Sequence, residues 1–157
     1  MLLSIFPTLF LILFLYVITI ADLCDQRIPD FAILAAILVK VGHAIICWWL
    51  NVYNLSLEEV LLGLFIDGLV VSLPVLLLIL LIEKIWKKEA MGGGDIKLIF
   101  VTGMYLGWEK NLWMLLIACM MGAVVGIVRA REKVPKEEAY FPFGPMIALA
   151  TVFCMLL

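Results

Sequence analysis

Two aspartates at the ends of apolar stretches could carry acid–base chemistry. Asp95 follows the glycine run Gly92–Gly94, where a predicted membrane helix meets a basic loop, and Asp22 ends the first apolar stretch ahead of Pro29. A carboxylate is costly to bury in a bilayer and is a poor lipid-facing group, so such positions are usually functional. If the two carboxyls lie close together, an ionised one could take a proton from water while a neutral one polarises a scissile carbonyl, as in aspartic hydrolysis.

The elements that must position these aspartates are membrane helices. The chain has 157 residues, 66% of them hydrophobic, against about 45–50% in soluble domains. We therefore predict an all-α polytopic membrane protein with a single membrane-embedded domain over residues 1–157. A spanning helix needs about 20 apolar residues, which predicts six transmembrane helices: Leu2–Ala21, Phe31–Leu50, Val60–Ile82, Ile96–Trp108, Leu112–Val128 and Tyr140–Leu157. The fourth is short, and we expect it to borrow length from the glycine loop or to sit deep in the bundle.

Basic residues are unevenly distributed over the loops between these helices. Nine of the eleven fall on one side: Arg27, Lys84, Lys87, Lys88, Lys97, Arg129, Arg131, Lys133 and Lys136. The positive-inside rule makes that side cytoplasmic and places both termini on the extracytoplasmic side. Asp22 and Asp95 then lie on the same, cytoplasmic face. The aspartates were not used to assign this face, which follows from the basic residues alone. No basic stretch studded with aromatic residues suggests nucleic-acid binding.

Each candidate residue also has a purely structural interpretation. Asp95 could be the N-cap of the fourth helix, whereas glycine before it would let the backbone approach a substrate strand closely. Asp25 would share a helix face with Asp22 and is its main rival as the first catalytic residue. We expect Asp25 and Asp30 to be loop charges, and Asp30 could instead cap the second helix. Lys97 could lower the pKa of a nearby carboxylate, hold a substrate carbonyl, or snorkel at a helix end.

Three segments resemble the motifs of type IV prepilin peptidases. Asp22–Pro29 resembles the first motif of the family, and Gly92–Leu98 resembles its G-x-G-D motif and the helix that follows. Phe141–Pro145, which opens the last predicted helix, resembles the C-terminal proline–glycine signature. The matches occur in the order of the family, and the peptidase core would cover nearly the whole chain. The G-x-G-D match alone would be weak evidence, but the three together are strong.

The resemblance implies a membrane aspartic endopeptidase whose catalytic dyad is Asp22 and Asp95. Its substrate-binding or supporting residues would be Gly92, Gly94, Lys97 and Pro29. It would remove the short basic leader of prepilins or prepilin-like proteins at the cytoplasmic membrane face of a bacterium or, as the alternative, an archaeon. Its partners would be that substrate and the lipid bilayer, and no metal or organic cofactor is implied. The chain resembles the short, peptidase-only members, so N-methyltransferase activity is not expected.

Three polar residues within the apolar stretches lie away from the aspartates, namely Lys40, His43 and Asp67. At about 1.5 Å per residue, Lys40 and Asp67 should lie at similar depths in the bilayer, and His43 shares the Lys40 face. We expect a buried ion pair between Lys40 and Asp67, because either charge alone would be expensive in lipid. The alternative function, a small proton-coupled carrier or channel subunit, would use these three residues instead of Asp22 and Asp95.

Overall fold

The computed structural model describes residues 2–25, 28–52, 55–87, 91–131 and 143–156. Regular structure in these ranges is entirely α-helical, which confirms the all-α prediction. Six helices follow in chain order: α1 (Leu2–Asp25), α2 (Asp30–Trp49), α3 (Leu57–Trp86), α4 (Gly93–Leu106), α5 (Trp108–Arg131) and α6 (Gly144–Leu156). Each corresponds to one predicted apolar stretch. Both α3 and α5 run beyond their predicted ends, and Tyr140–Pro142, predicted to open the last helix, lie outside the described residues.

Helix length and side-chain exposure indicate a multi-pass membrane protein. Within the described ranges, four helices are long and apolar enough to cross a bilayer: Ile5–Cys24, Asp30–Trp49, Leu57–Ile85 and Trp108–Val128. Their outward faces carry large apolar side chains, among them Leu13, Leu38, Leu77 and Trp113, that the bundle leaves exposed. An apolar surface of this extent is unfavourable in water. These apolar faces are therefore expected to contact the lipid of a membrane.

Helix α4 is the short, central helix of the bundle. It has 14 residues and packs against each of the other five helices. Its side chains Leu98, Ile99 and Val101 are fully buried. Because α4 begins at Gly93, two residues of the glycine run form its first turn. Both expectations for the fourth stretch, added length from the glycines and a deep position, are confirmed.

Close packing and buried hydrogen bonds fix the position of α4. A Cβ atom on Gly103 would lie 2.7 Å from the backbone oxygen of Asp67, so α3 and α4 cross almost backbone to backbone. On the other side, the fully buried amide of Asn111 in α5 donates to the backbone oxygen of Ile99 at 3.1 Å and accepts from the Thr102 hydroxyl at 2.9 Å. Satisfied polar contacts of this kind specify one arrangement of neighbouring helices. They hold the helix that carries Asp95.

Candidate active site

Asp22 and Asp95 lie buried at the same end of the helix bundle. Asp22 is in the last turn of α1 and is 4% exposed, and Asp95 is in the first turn of α4 and is 7% exposed. The two groups interact electrostatically, because the negative charge of Asp22 acts on the carboxyl of Asp95. The structure therefore brings together the two aspartates that the sequence singled out.

Asp95 is poised to carry a proton near neutral pH. It precedes the apolar stretch of α4 and lies outside the four helices that are long enough to span a bilayer. Burial, together with the nearby charge of Asp22, raises the pKa of Asp95 from its usual 3.8 to about 7. Two close carboxyls avoid mutual repulsion by sharing one proton, and such a pair offers both a base and an acid. This is the protonation pattern that aspartic hydrolysis requires.

Asp22 is held in place by the start of α6. The backbone N–H of Gly144 donates a hydrogen bond to Oδ2 of Asp22, with an N···O distance of 3.0 Å. A Cβ atom on residue 144 would lie 2.6 Å from that same oxygen, so only glycine permits the approach. The sequence had indicated Gly144 as part of a family signature without assigning it a role. A glycine at the predicted start of a helix was the only local signal, because the contact joins positions far apart in the chain.

The glycine run fits the loop that follows Asp22. Gly92 is the N-cap of α4, and its carbonyl oxygen accepts the N–H of Asp95 at 3.1 Å. The interpretation of Asp95 as N-cap is therefore wrong, since Asp95 is the third residue of the helix and its side chain is buried. A Cβ atom on Gly94 would lie 3.0 Å from Cβ of Ile28, so α4 meets the α1–α2 loop closely at this point.

Pro29 and Lys97 join the starts of α2 and α4. Pro29 is the N-cap of α2, and its carbonyl oxygen accepts the N–H of Ala32 at 3.0 Å. Asp30 is the first residue of α2 rather than its cap, and its carboxylate forms an ion pair with Lys97. Both side chains of the pair are exposed, at 78% and 51%. Lys97 thus binds Asp30, while the pKa of Asp95 is set by burial and Asp22.

Some residues of the predicted site lie outside the described part of the chain. Asp25, the rival of Asp22, is the last residue of α1, and its side chain is not among those described. Phe141 and Pro142 of the C-terminal signature also fall outside, whereas Phe143 and Gly144 are described.

A second polar cluster lies near the other end of α4. Lys40, His43 and Asp67 line one cavity of about 220 Å³ between α2 and the first half of α3. The predicted ion pair is wrong: Nζ of Lys40 lies over the Tyr105 ring, 5.0 Å from its centroid, and Oδ1 of Asp67 accepts the N–H of Trp108 at 3.4 Å. Tyr105 is about 15 Å along the helix from Asp95, so the cluster is separate from the aspartates.

The difference between prediction and structure at Lys40 has a physical reason. The rise of a helix sets the depth of each residue, but not the direction in which its side chain points. Lys40 and Asp67 share a depth and a cavity, as expected, and the charge of Asp67 still acts on Lys40. They form no direct ion pair, because Lys40 lies over the Tyr105 ring and Asp67 accepts the N–H of Trp108.

Comparison with known proteins gives consistent matches. The model of the "Type IV leader peptidase family" matches residues 9–127, which include Asp22 and Asp95. A "Prepilin leader peptidase/N-methyltransferase" of Pectobacterium carotovorum subsp. carotovorum is 30% identical over 157 residues, covering 98% of this chain and 52% of the relative. A protein of the same name from Stutzerimonas stutzeri is 31% identical over 138 residues, covering 87% of this chain and 44% of the relative.

A "Prepilin leader peptidase/N-methyltransferase" of Burkholderia pseudomallei strain 1026b matches over a shorter region with higher identity. It is 41% identical over 68 residues, which cover 41% of this chain and 22% of the relative. The chain spans about half the length of the first two relatives. No solved structure gives a significant match. The family model covers well over half of the chain, and the geometry of the two aspartates agrees with it. The chain therefore belongs to the type IV leader peptidase family.

Proposed function

We propose that this chain is a membrane aspartic endopeptidase that removes the short basic leader of prepilins or prepilin-like proteins. The observation that carries the proposal is the buried pair of Asp22 and Asp95, in which burial and a neighbouring charge raise the pKa of Asp95 to about 7. Membership of the family supports it, since the relatives are named for prepilin leader cleavage. Residues 1–157 would form one peptidase domain, with Gly92, Gly94, Pro29 and Lys97 shaping the site around the dyad.

Hydrolysis would proceed through a water molecule held between the two carboxyls. The ionised carboxyl takes a proton from water as the water oxygen bonds to the scissile carbonyl carbon, and the neutral carboxyl gives its proton to the carbonyl oxygen. In the second step, the first carboxyl gives its proton to the amide nitrogen, the C–N bond breaks, and the second carboxyl recovers a proton from the diol. Both carboxyls end as they began.

The membrane arrangement is part of the proposal. All six helices would cross the cell membrane of a bacterium, with both termini outside, and α4 would supply Ile96–Leu106 of the predicted stretch Ile96–Trp108. Contacts of Gly94 with Ile28 and of Gly144 with Asp22 support it, because they gather the α1–α2 loop and the starts of α4 and α6 at one end of the bundle. The described basic residues Lys84, Lys87 and Lys97 lie at this end, which the positive-inside rule would assign to the cytoplasm. The leader would therefore be cut at the cytoplasmic face.

Co-expression with candidate prepilins from the same genome tests this function, with cleavage read as a mobility shift. We expect Asp22→Asn and Asp95→Asn each to abolish the shift while the protein still inserts in the membrane, because one carboxyl cannot be both base and acid. Asp25→Asn is the matched control and should retain most activity. Normal cleavage by Asp22→Asn together with an inactive Asp25→Asn would show that the first catalytic residue is wrongly assigned.

A further inference from the structure

The two aspartates of the pair have different surroundings. Asp22 accepts the N–H of Gly144 at 3.0 Å. Among the described residues, no hydrogen bond to the carboxyl of Asp95 is found, and the influences on its pKa are burial and the charge of Asp22. The pair is therefore asymmetric before any substrate binds.

In the first turn of α6, the N–H of Gly144 is the one that bonds outside its own helix. Pro145 has no N–H, and the N–H groups of Met146 and Ile147 both bond to the carbonyl oxygen of Phe143, at 3.0 and 3.2 Å. Only the N–H of Gly144 in this turn reaches Asp22. It also lies at the positive end of a helix of 13 residues, where the helix dipole favours a negative charge.

A donated hydrogen bond favours the ionised form of a carboxyl over the protonated form. Burial has the opposite effect and acts on both aspartates, so the hydrogen bond from Gly144 is the contact that distinguishes them. When Asp22 and Asp95 hold one proton between them, the bond from Gly144 favours the charge on Asp22 and the proton on Asp95.

We propose that Gly144 is a positioning residue that makes Asp22 the ionised base and leaves Asp95 as the proton donor. The assignment rests on the proposed function and states which carboxyl takes and which gives a proton in each step. Asp22 takes the proton from water as the new C–O bond forms, and Asp95 gives its proton to the carbonyl oxygen. On collapse of the diol, Asp22 gives its proton to the amide nitrogen as the C–N bond breaks, and Asp95 recovers one from the diol.

Few other ionisable groups surround this pair. The other ionisable side chains described at this end are Cys24 of α1, Asp30 of α2, Glu83, Lys84 and Lys87 at the end of α3, and Lys97 of α4. None of them is among the influences on the pKa of Asp95, which are burial and the charge of Asp22. Lys97 and Asp30 form an exposed ion pair with each other. The described part of α6 contributes no charged side chain. A change in the acidic limb that appears in the ester at residue 144, and not in the ester at residue 146, therefore reports a change within the dyad.

Replacing the amide of residue 144 by an ester tests the proposal. Glycolic acid in place of Gly144 removes the N–H and adds no atom that could collide with Asp22. The matched control is the α-hydroxy analogue of Met146, whose N–H bonds only to the Phe143 carbonyl oxygen within the first turn. Both full-length proteins, in lipid nanodiscs, would be assayed for kcat and KM against pH with a purified prepilin.

We expect the ester at residue 144 to move the acidic limb of the kcat profile upward by about one to two pH units, because Asp22 loses a hydrogen bond to its charged form. The ester at residue 146 should leave the limb in place. A limb that stays at the wild-type pH in the 144 ester would overturn the assignment.

Gly144→Ala is a second variant that keeps the N–H but places a methyl group 2.6 Å from the Asp22 oxygen. We expect kcat to fall by about tenfold or more with KM little changed, because the misplaced carboxyl acts in the chemical step. Gly126→Ala on α5, where a Cβ atom meets nothing within 4 Å, is its control. Wild-type kcat in Gly144→Ala would also overturn the proposal.

Experiment can reject the proposed function and the assignment of base and acid separately. Normal cleavage by Asp22→Asn and Asp95→Asn would reject the proposed function, and the role of Gly144 with it. Inactive Asn variants combined with an unchanged acidic limb in the 144 ester would reject only the assignment of base and acid.

Discussion

Burial gives Asp95 a property that the free amino acid lacks. An ordinary aspartate has released its proton well below neutral pH, whereas burial and the charge of Asp22 raise the pKa of Asp95 to about 7. A neutral carboxyl can donate a proton to a carbonyl oxygen, which an ionised one cannot. The chemistry proposed for this site therefore depends on how deeply the bundle buries the carboxyl of Asp95.

The raised pKa of Asp95 predicts a pH dependence. We expect cleavage to decline as pH rises through about 7, because the dyad then loses its shared proton. Stability should follow the same direction: the folded state keeps a proton that the unfolded chain releases near pH 4, so the free energy of unfolding falls as pH rises from about 4 to 7. Cleavage rates measured on both sides of pH 7 at constant ionic strength test the first point, and full activity well above pH 7 would contradict it.

The stability effect has its own control. Asp95→Asn cannot ionise, so the thermal unfolding midpoint of this variant should show a weaker pH dependence between about pH 4 and 7 than the wild type shows. Equal slopes for the two proteins would mean that Asp95 is not the group that keeps the proton.

The contact between Gly94 and Ile28 predicts a position-specific effect of alanine. Gly94→Ala places a methyl group 3.0 Å from Cβ of Ile28, which must push the α1–α2 loop away from the start of α4. We expect cleavage to fall by about tenfold, because small displacements of reacting groups are costly. Gly93→Ala is the control, since a Cβ atom there meets nothing within 4 Å. Equal activities of the two variants in the prepilin assay would contradict the argument.

At the scale of elements, the site depends on how firmly α3 and α5 hold α4. The helix is short, and its own hydrogen bonds do little to fix its position. Close approach to α3 at Gly68 and Gly103, and the buried amide of Asn111 from α5, determine where its first turn lies. These contacts therefore also fix the position of Asp95, which lies in the first turn of α4.

The α3–α4 crossing predicts a large cost for a single methyl group. In Gly103→Ala, the new Cβ atom would lie 2.7 Å from the Asp67 backbone oxygen and 2.9 Å from Cα of Gly68, and backbone atoms cannot move aside easily. We expect unfolding to become easier by about 1–3 kcal/mol. Thermal unfolding in detergent measures this, with Gly42→Ala as a control because its Cβ atom would meet nothing within 4 Å. A Gly103→Ala protein as stable as Gly42→Ala would show that the helices can separate without cost.

At the scale of the whole molecule, the orientation in the membrane decides which side receives the substrate. Cys24 is exposed near the end of α1 that carries Asp22, whereas Cys154 is buried in α6. We expect a membrane-impermeant thiol reagent to reach Cys24 from the cytoplasmic side and not from outside intact cells. Buried Cys154 should resist the reagent from either side, so it cannot report orientation.

Glu109 offers the matched reporter for the opposite face. It is exposed in the first turn of α5. In a variant without native cysteines, Glu109→Cys should be labelled from outside intact cells. Labelling of Cys24 from outside, or of Glu109→Cys only from inside, would reverse the topology and with it the cytoplasmic position of the site.

The amino-acid sequence by itself determined the helices and the identity of the aspartate pair. Long apolar runs can satisfy their backbone groups in lipid only as helices, so six such runs were enough to predict six helices. Counting helices then put Asp22 and Asp95 at the same end, because successive helices reverse direction. The short fourth stretch was expected to borrow length from the glycine loop or to sit deep in the bundle, and the structure shows both.

Contacts between helices were decided only by the tertiary structure. Depth along a helix follows from residue number, but the direction of a side chain around the axis depends on how the helices pack. For this reason the sequence placed Lys40 and Asp67 at one depth but did not reveal that Lys40 lies over Tyr105. It likewise left the pairing of Lys97 with Asp30 and the hydrogen bond from Gly144 to Asp22 undetermined, because each joins elements far apart in the chain.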